Sequence, residues 1–305
     1  MMALFEVKKQ KLPTKLFEKY IVPPFSVFNT HAPYWRDRLR FWRDLGLYTN
    51  TGRDERLSYD NRRINKHNNH RDWHNGTSYF NPVLTEILIK WFSLPNSQIL
   101  DPFAGGIVRG GVSAILGREY CGIDLSSKQV ETNKEEWENF LQRFTVEKQP
   151  EWIAGNSINH PFREADMILT CPPYYNLEKY TDSPEDLSNY PTYERFIEDY
   201  TLILERCYNV LRDDCFACIV VSDVRDKQST AYYGLVADTI NICRKVGFKY
   251  YNEIILYNDT SNLAIVSGDY LDKARKVGRQ HQNILVFYKG DPKNIKDKFG
   301  KLELE

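Results

Sequence analysis

From residue 82 onward, hydrophobic and polar positions alternate between two periods. "PVLTEILIKWF" (82–92) places apolar residues at helical spacing. The short apolar run "QILD" turns into "PFAGG", and "VRGGVSAILG" returns to helical spacing. "EYCGIDLS" reads as a second strand ending in an acid, and "KQVETNKEEWENFLQRF" as a helix. "EWIAGNS" and "ADMILTCPP" are the third and fourth strands. The amphipathic helix "YERFIEDYTLILERCYNVL" precedes a fifth strand, "CFACIVVSD", and "YYGLVADTINICRKVGF" is another helix. "YYNEIILYN" and "HQNILVFYKG" close the series as two strands with no helix expected between them.

Strands alternating with helices imply βαβ units and an α/β fold with a mainly parallel sheet of seven strands. The uninterrupted last pair predicts an antiparallel edge strand. Residues 1–76 have no clear period and read as an N-terminal extension to a domain over 77–292. Residues 293–305 read as a polar tail.

Composition narrows the class. Of 305 residues, 42% are hydrophobic, enough for a sizeable core. No run reaches the ~18 apolar residues of a membrane span. The start, "MMALFEVKKQKLPTKL", lacks the apolar stretch of a secretory signal. The two nearest of the six cysteines, Cys215 and Cys218, lie in a run that reads as a buried strand. A reduced, cytoplasmic protein is the expectation.

Net charge is zero but uneven: residues 1–75 carry +7 and the remainder −7. Arg36, Arg38, Arg40 and Arg43 are interleaved with Trp35, Phe41 and Trp42. Such a segment fits a DNA-contacting element, or equally a solvated helix face. The loop over 271–281 carries Lys273, Arg275, Lys276 and Arg279, and fits either a phosphate-contacting loop or an ordinary exposed one. His67, His70 and His74 are irregularly spaced with no cysteine nearby, so no metal site is expected there.

Candidate ligand residues cluster after the predicted strands. Asp101 ends the first strand, and Gly105 and Gly106 permit a tight turn and close ligand approach before a helix. The loop is neither a G-x-G-x-x-G fingerprint nor a Walker A motif. Asp124 ends the second strand about twenty residues later, where an acid accepts the ribose hydroxyls of an adenosine-containing ligand. Its alternative is a cap on the next helix, a part Ser126 also fits. Asn156, after the third strand, fits either an adenine edge contact or a turn.

"TCPPYYN" ends the fourth strand abruptly, because proline cannot continue a sheet ladder. Cys171-Pro172-Pro173-Tyr174 resembles the [DNS]-P-P-[YFW] motif of S-adenosylmethionine-dependent DNA amino-methyltransferases, which act on cytosine N4 or adenine N6. "DPFAGG" resembles that family's cofactor loop, "FNPVLTEILIKWF" its preceding helix, and "VVSDVRD", "NEIILYN" and "HQNILVFYKGDPK" its later strands. The resemblance spans roughly residues 77 to 292. It implies a Rossmann-like methyltransferase fold, S-adenosylmethionine as cofactor, and double-stranded DNA with a flipped base as partner.

By that resemblance, Cys171, Pro172, Pro173 and Tyr174 are the catalytic candidates. Phe80, Asn81, Asp101, Phe103, Ala104, Gly105, Gly106, Asp124, Leu125 and Asn156 are the cofactor-binding ones. Two acceptors at the motif draw an exocyclic amine toward tetrahedral geometry, and the aromatic ring stacks on the base. Tyr175 and Asn176 are candidates for a second wall and an edge contact. Asp223 and Arg225 fit either a phosphate contact or a strand-terminal ion pair. The departure is Cys171 itself, where the family usually has Asp, Asn or Ser. Its size is nearest Ser, the form commonest in cytosine-N4 enzymes, which favours cytosine. Three alternatives stay open: a Cys171 nucleophile for cytosine C5 methylation, an RNA or protein substrate, and an inactive DNA-binding module.

Overall fold

The computed structural model of the protein describes residues 19–47, 80–258 and 263–302. Eight strands form one sheet: β1 (Val27–Asn29), β2 (Gln98–Asp101), β3 (Glu119–Asp124), β4 (Glu151–Ala154), β5 (Ala165–Thr170), β6 (Leu211–Val221), β7 (Lys249–Tyr257) and β8 (His281–Lys289). The helices are α1 (Pro33–Asp44), α2 (Pro82–Phe92), α3 (Val108–Ile115), α4 (Ser127–Leu141), α5 (Tyr193–Val210), α6 (Leu235–Val246), α7 (Leu263–Ala274) and α8 (Ile295–Phe299).

The strand order is β1-β7-β8-β6-β5-β2-β3-β4. β2, β3 and β4 run outward in one direction, and β5 then pairs with the other side of β2. The connections therefore reverse at the β2/β5 boundary. In open α/β sheets that reversal opens a crevice at the carboxyl ends of the strands.

The α/β class and the mainly parallel sheet agree with the pattern in the sequence. Three details differ. The sheet has eight strands, because Val27–Asn29 pairs parallel to β7. The antiparallel strand β8 is inserted between β6 and β7 and is not an edge. Its central place explains why "ILVFY" is a continuous apolar run buried on both faces. Helix α7 also intervenes between β7 and β8, where no helix is expected from the pattern.

Period-two alternation builds two cores, one on each face of the sheet. Phe216, Cys218 and Val220 of β6 join Ile284, Val286 and Tyr288 of β8 on one face. Cys215, Ala217, Ile219 and Val221 join Leu285 and Phe287 on the other, against α5 and α6. Cys215 and Cys218 thus point to opposite faces, and all six cysteines are free.

The described part of the N-terminal extension is woven into the first core. Trp35 and Trp42 of α1 are fully buried. Arg38 forms a two-pronged ion pair with the buried Glu86 of α2, and Trp42 Nε1 donates to the same carboxylate at 3.0 Å. The aromatic half of the Arg/Trp pattern is therefore packing, while Arg36, Arg40 and Arg43 lie on the exposed face. His67, His70 and His74 fall outside the described residues. Among the described residues no helix is long and apolar enough to cross a membrane, and no cluster of His, Cys, Asp or Glu has the makings of a metal site.

Candidate functional site

The loop after β2 and the turn after β5 face each other because their strands are neighbours. They border an open cleft of about 1370 Å³. That exceeds the ~300–1,000 Å³ typical of a single small-molecule pocket. Twelve of the fourteen sequence-predicted site residues line it: Phe80, Asn81, Phe103, Gly105, Gly106, Asp124, Leu125, Asn156, Cys171, Pro172, Pro173 and Tyr174. Asp101 and Ala104 lie beneath its floor, at 0% and 1% exposure.

Asp101 is a junction. Its carboxylate accepts from Tyr120 Oη of β3 (2.9 Å), Thr170 Oγ1 of β5 (2.6 Å), the Phe103 amide (3.1 Å) and Arg109 Nε of α3. The residue before Cys171 is thereby stapled to the strand that carries the glycine loop. A fully buried carboxylate needs such donors, since desolvation otherwise makes its charge prohibitive.

The glycine loop is held at nearly every backbone group. Gly105, at φ 53°, adopts the left-handed conformation that glycine tolerates best. Its amide donates to Asp124 Oδ2 (2.8 Å), and its carbonyl accepts from Asn133 Nδ2 (2.7 Å). Ser157 Oγ donates to the Pro102 carbonyl (2.6 Å). Arg109 Nη2 donates to the carbonyls of Phe103 (2.6 Å) and Ala104 (3.0 Å). A Cβ placed on Gly106 would meet no protein atom within 4 Å. The loop thus encloses open space at Gly106 and is locked around it.

Of the two capping candidates in the sequence, Ser126 takes the part. Ser126 is the N-cap of α4, its Oγ accepting from the Gln129 amide at 3.2 Å. Asp124 accepts from the Ser126 amide through Oδ1 (2.8 Å) and from Gly105 through Oδ2. Asp124 also lines the cleft. Asn156 spends its amide oxygen on the Ile158 amide (2.9 Å), which builds the turn after β4. Asn81 is the N-cap of α2, accepting from the Val83 and Leu84 amides.

At the other end of the cleft, Cys171 Sγ lies 3.4 Å from Tyr174 Oη. Gln282 Nε2 of β8 donates to the same oxygen at 2.9 Å. Burial pushes the Cys171 thiol above the ordinary thiol value, against the opposing pull of Arg109 and the Tyr174 hydrogen bond. Burial likewise holds the Tyr174 phenol well above its ordinary value.

Tyr175 is not the second wall expected of it. At φ 51° it turns away from the cleft and is buried among Tyr193, Phe196 and Tyr233, with centroids 5.1–5.5 Å away. Of the consecutive tyrosines, Tyr174 lines the cleft and Tyr175 is buried in the core. Asn176 does not line the cleft either; its carbonyl accepts from Lys227.

The cleft mouth carries cations and exposed rings. Arg225 stacks on Tyr232 at 3.9 Å, and Arg279 lies 5.9 Å from the same ring. Asp223 is a strand-terminal partner on both counts: it accepts from the Val236 amide and pairs with Arg279 at 3.5 Å. Lys179, Lys276, Tyr180 and Tyr270 complete the rim. Of the basic 271–281 stretch, Lys273 is committed to Asp269 on α7 and Arg279 to Asp223 and Asn283, while Lys276 and Arg279 both line the cleft.

Sequence reasoning missed Arg109, Tyr120, Asn133, Ser157, Thr170 and Gln282. Arg109 reaches back to the loop just before it, while the other five act through partners 19 or more residues away, and none stands in a pattern that marks it.

The strand order, with an antiparallel strand between two parallel ones and a cleft at the reversal, defines the Rossmann-like methyltransferase class. Within it, residues 165–303 match the family model described as DNA methylase, of the N6/N4 type, and the resemblance to the amino-methyltransferases holds. No match was found among curated proteins. Many solved structures match at low identity. TrmN from Thermus thermophilus is 16% identical with a TM-score of 0.45 over 69% of this chain, which covers 49% of TrmN. A TehB-like SAM-dependent methyltransferase from Corynebacterium glutamicum is 15% identical with a TM-score of 0.41, covering 67% of this chain and 86% of its own. The magnesium protoporphyrin IX methyltransferase ChlM from Synechocystis, solved with bound SAM, is 15% identical with a TM-score of 0.42, covering 68% and 79%.

Proposed function

We propose that the protein transfers a methyl group from S-adenosylmethionine to the exocyclic amino group of a base in DNA, with cytosine N4 favoured over adenine N6. The observation that carries this reading is the placement of Cys171-Pro172-Pro173-Tyr174 across one cleft from the Gly105–Gly106 loop and Asp124. S-adenosylmethionine fits the residues present. The space before Gly106 admits a ligand, and Asp124 offers acceptors to ribose hydroxyls. Asn156 retains its amide N–H groups for an adenine edge.

When bound, that cofactor supplies an electrophilic methyl group on a sulfonium whose leaving thioether is neutral. The chain's own residues position the nucleophile. The Pro172 carbonyl accepts an N–H of the target amine, and the double proline stiffens the turn that aims it. The Tyr174 ring, pinned through its hydroxyl by Cys171 and Gln282, presents a face to a base swung out of the helix. Burial favours the protonated form of the Cys171 thiol over the thiolate that would attack the ring. That disfavours C5 methylation. The methylated amine gives up its proton to water in the open cleft. Lys179, Lys276, Arg225 and Arg279 at the rim, with Arg36 and Arg40 of α1, supply cations for the phosphate backbone.

The test is nucleoside mass spectrometry of DNA from a methylation-deficient host expressing the protein. N4-methylcytosine is expected. 5-Methylcytosine, or labelled RNA or protein with unlabelled DNA, would overturn the reading.

A further inference from the structure

We propose that Arg109 holds the carboxylate at the amino-acid end of bound S-adenosylmethionine through its Nη1. The inference rests on the cofactor reading above and adds a binding residue to it.

Arg109 is 4% exposed yet lines the cleft. Its other nitrogens are committed. Nε donates to Asp101, and Nη2 is shared between the Phe103 and Ala104 carbonyls. The Phe80 ring covers one face of the guanidinium, 4.4 Å from Cζ. Nη1, with two N–H groups, has no protein acceptor among the described residues. The buried side-chain nitrogens without a partner there are Nε1 of Trp35 and of Trp152. Nη1 is not among them, so it opens to the cleft and not into a sealed void.

Three features make this a seat for an anion. The guanidinium is fixed in orientation by four contacts, so little entropy is lost on binding. It stands in a mostly buried setting where a charge-assisted hydrogen bond is strong. Its nearest acid, Asp101, already accepts from Tyr120, Thr170 and the Phe103 amide, so the negative charge there is shared among four donors.

Location names the anion. Arg109 lies between the two ends of the cleft: it grips the glycine loop beside Asp124, and its charge acts on the Cys171 thiol. In S-adenosylmethionine the amino-acid chain leaves the same sulfur that bears the methyl group. A ligand with adenosine at Asp124 and methyl directed at Cys171–Tyr174 therefore carries its carboxylate into the region between them. A phosphate on a nucleic-acid backbone would not descend to a residue this deeply buried.

The test is calorimetric binding of three ligands to the full chain: S-adenosylhomocysteine, its decarboxylated amine analogue, and 5′-methylthioadenosine. The wild type is expected to prefer the carboxylate over the decarboxylated analogue by about ten- to a hundred-fold. In Arg109→Lys, which keeps a cation opposite Asp101, that ratio should collapse toward one while 5′-methylthioadenosine binding is retained. An unchanged ratio, or equal weakening of all three ligands, would overturn the proposal and leave Arg109 as scaffold for the loop. If Arg109→Lys does not fold, a crystal structure of the wild type with S-adenosylhomocysteine decides. A carboxylate beyond hydrogen-bond reach of Nη1 overturns the assignment. Failure of all three ligands to bind the wild type would remove the cofactor reading itself, and this proposal with it.

Discussion

The Tyr174 hydroxyl stands between two partners: the Cys171 sulfur at 3.4 Å and Gln282 Nε2, which donates to it at 2.9 Å. The phenol oxygen accepts from Gln282, and hydroxyl and thiol share the second contact. Arg109 and the Tyr174 contact pull the thiol's pKa down, yet burial dominates and raises it. Cys171→Ser should keep methyltransfer, because the hydroxyl occupies the same place and accepts better. Loss of activity in a folded, cofactor-binding Cys171→Ser protein, with a covalent adduct trapped by a fluorocytosine oligonucleotide in the wild type, would assign C5 chemistry instead.

The same shift has a pH signature. A group whose folded pKa lies above its unfolded value favours folding in its neutral form. That contribution is complete below the unfolded value, about 8.5 for a thiol, and disappears as pH rises through the folded one. Cys171 is raised, and burial beside Glu151 pushes Cys121 up to about 11. Urea-unfolding stability should be insensitive to these groups near neutrality and should fall from about pH 8.5 toward 11. Substituting Cys121→Ser should flatten part of that fall; an unchanged alkaline profile in the variant would show that the thiol is not responsible.

Asp101→Ala should destabilise the fold by about 3–5 kcal/mol, the cost of leaving one partner of a buried pair uncompensated. Arg109 would lose its acid, and Thr170 and Tyr120 an acceptor. Chemical denaturation measures it. A loss below about 1 kcal/mol would mean that Asp101 is not the junction the hydrogen bonds describe.

Asp124→Ala should weaken S-adenosylhomocysteine binding by about 1–3 kcal/mol, both by removing acceptors from the cleft and by releasing the Gly105 amide. Wild-type affinity by calorimetry in a folded variant would take Asp124 out of the site. Gly106→Val is its complement. The added side chain meets no protein atom at Cβ, so stability should change by no more than about 0.5 kcal/mol while ligand affinity falls at least ~10-fold. Unimpaired binding would place the ligand elsewhere.

Trp42→Ala should cost about 3–5 kcal/mol, because the ring is fully buried and hydrogen-bonded to Glu86. A chain beginning near residue 76 would lose this packing entirely and is expected to unfold. The DNA role of the N-terminal segment is better tested by Arg36→Gln with Arg40→Gln in the full chain. Both residues are exposed, and the pair should reduce the salt slope of DNA binding by about two. An unchanged slope would assign these cations to a solvated face.

Sequence and tertiary structure determined different things about this protein. Period-two apolar runs separated by helical ones specified the α/β class, because a buried strand and an amphipathic helix each declare themselves within a few residues. That Gly105, Asp124 and the Pro172–Pro173 turn follow strand ends was legible for the same reason: a turn is a local feature. The place of β8 between β6 and β7 was not, since an apolar run says that a strand is buried and not which strands bury it. Nor was the division between Asp101 and Asp124, two acids at the ends of adjacent strands. One is enclosed by Tyr120, Thr170 and Arg109, while the other faces the cleft. Tyr174 and Tyr175 are identical neighbours in sequence, yet one lines the cleft and the other, at φ 51°, is buried in the core. Trp35 and Trp42 stand in a segment that reads as a DNA-contacting element or a solvated helix face, yet both are fully buried, and Trp42 bonds Glu86 more than forty residues later. Burial and long-range hydrogen bonding are properties of which residues meet, and the pattern along one chain carries no record of that meeting.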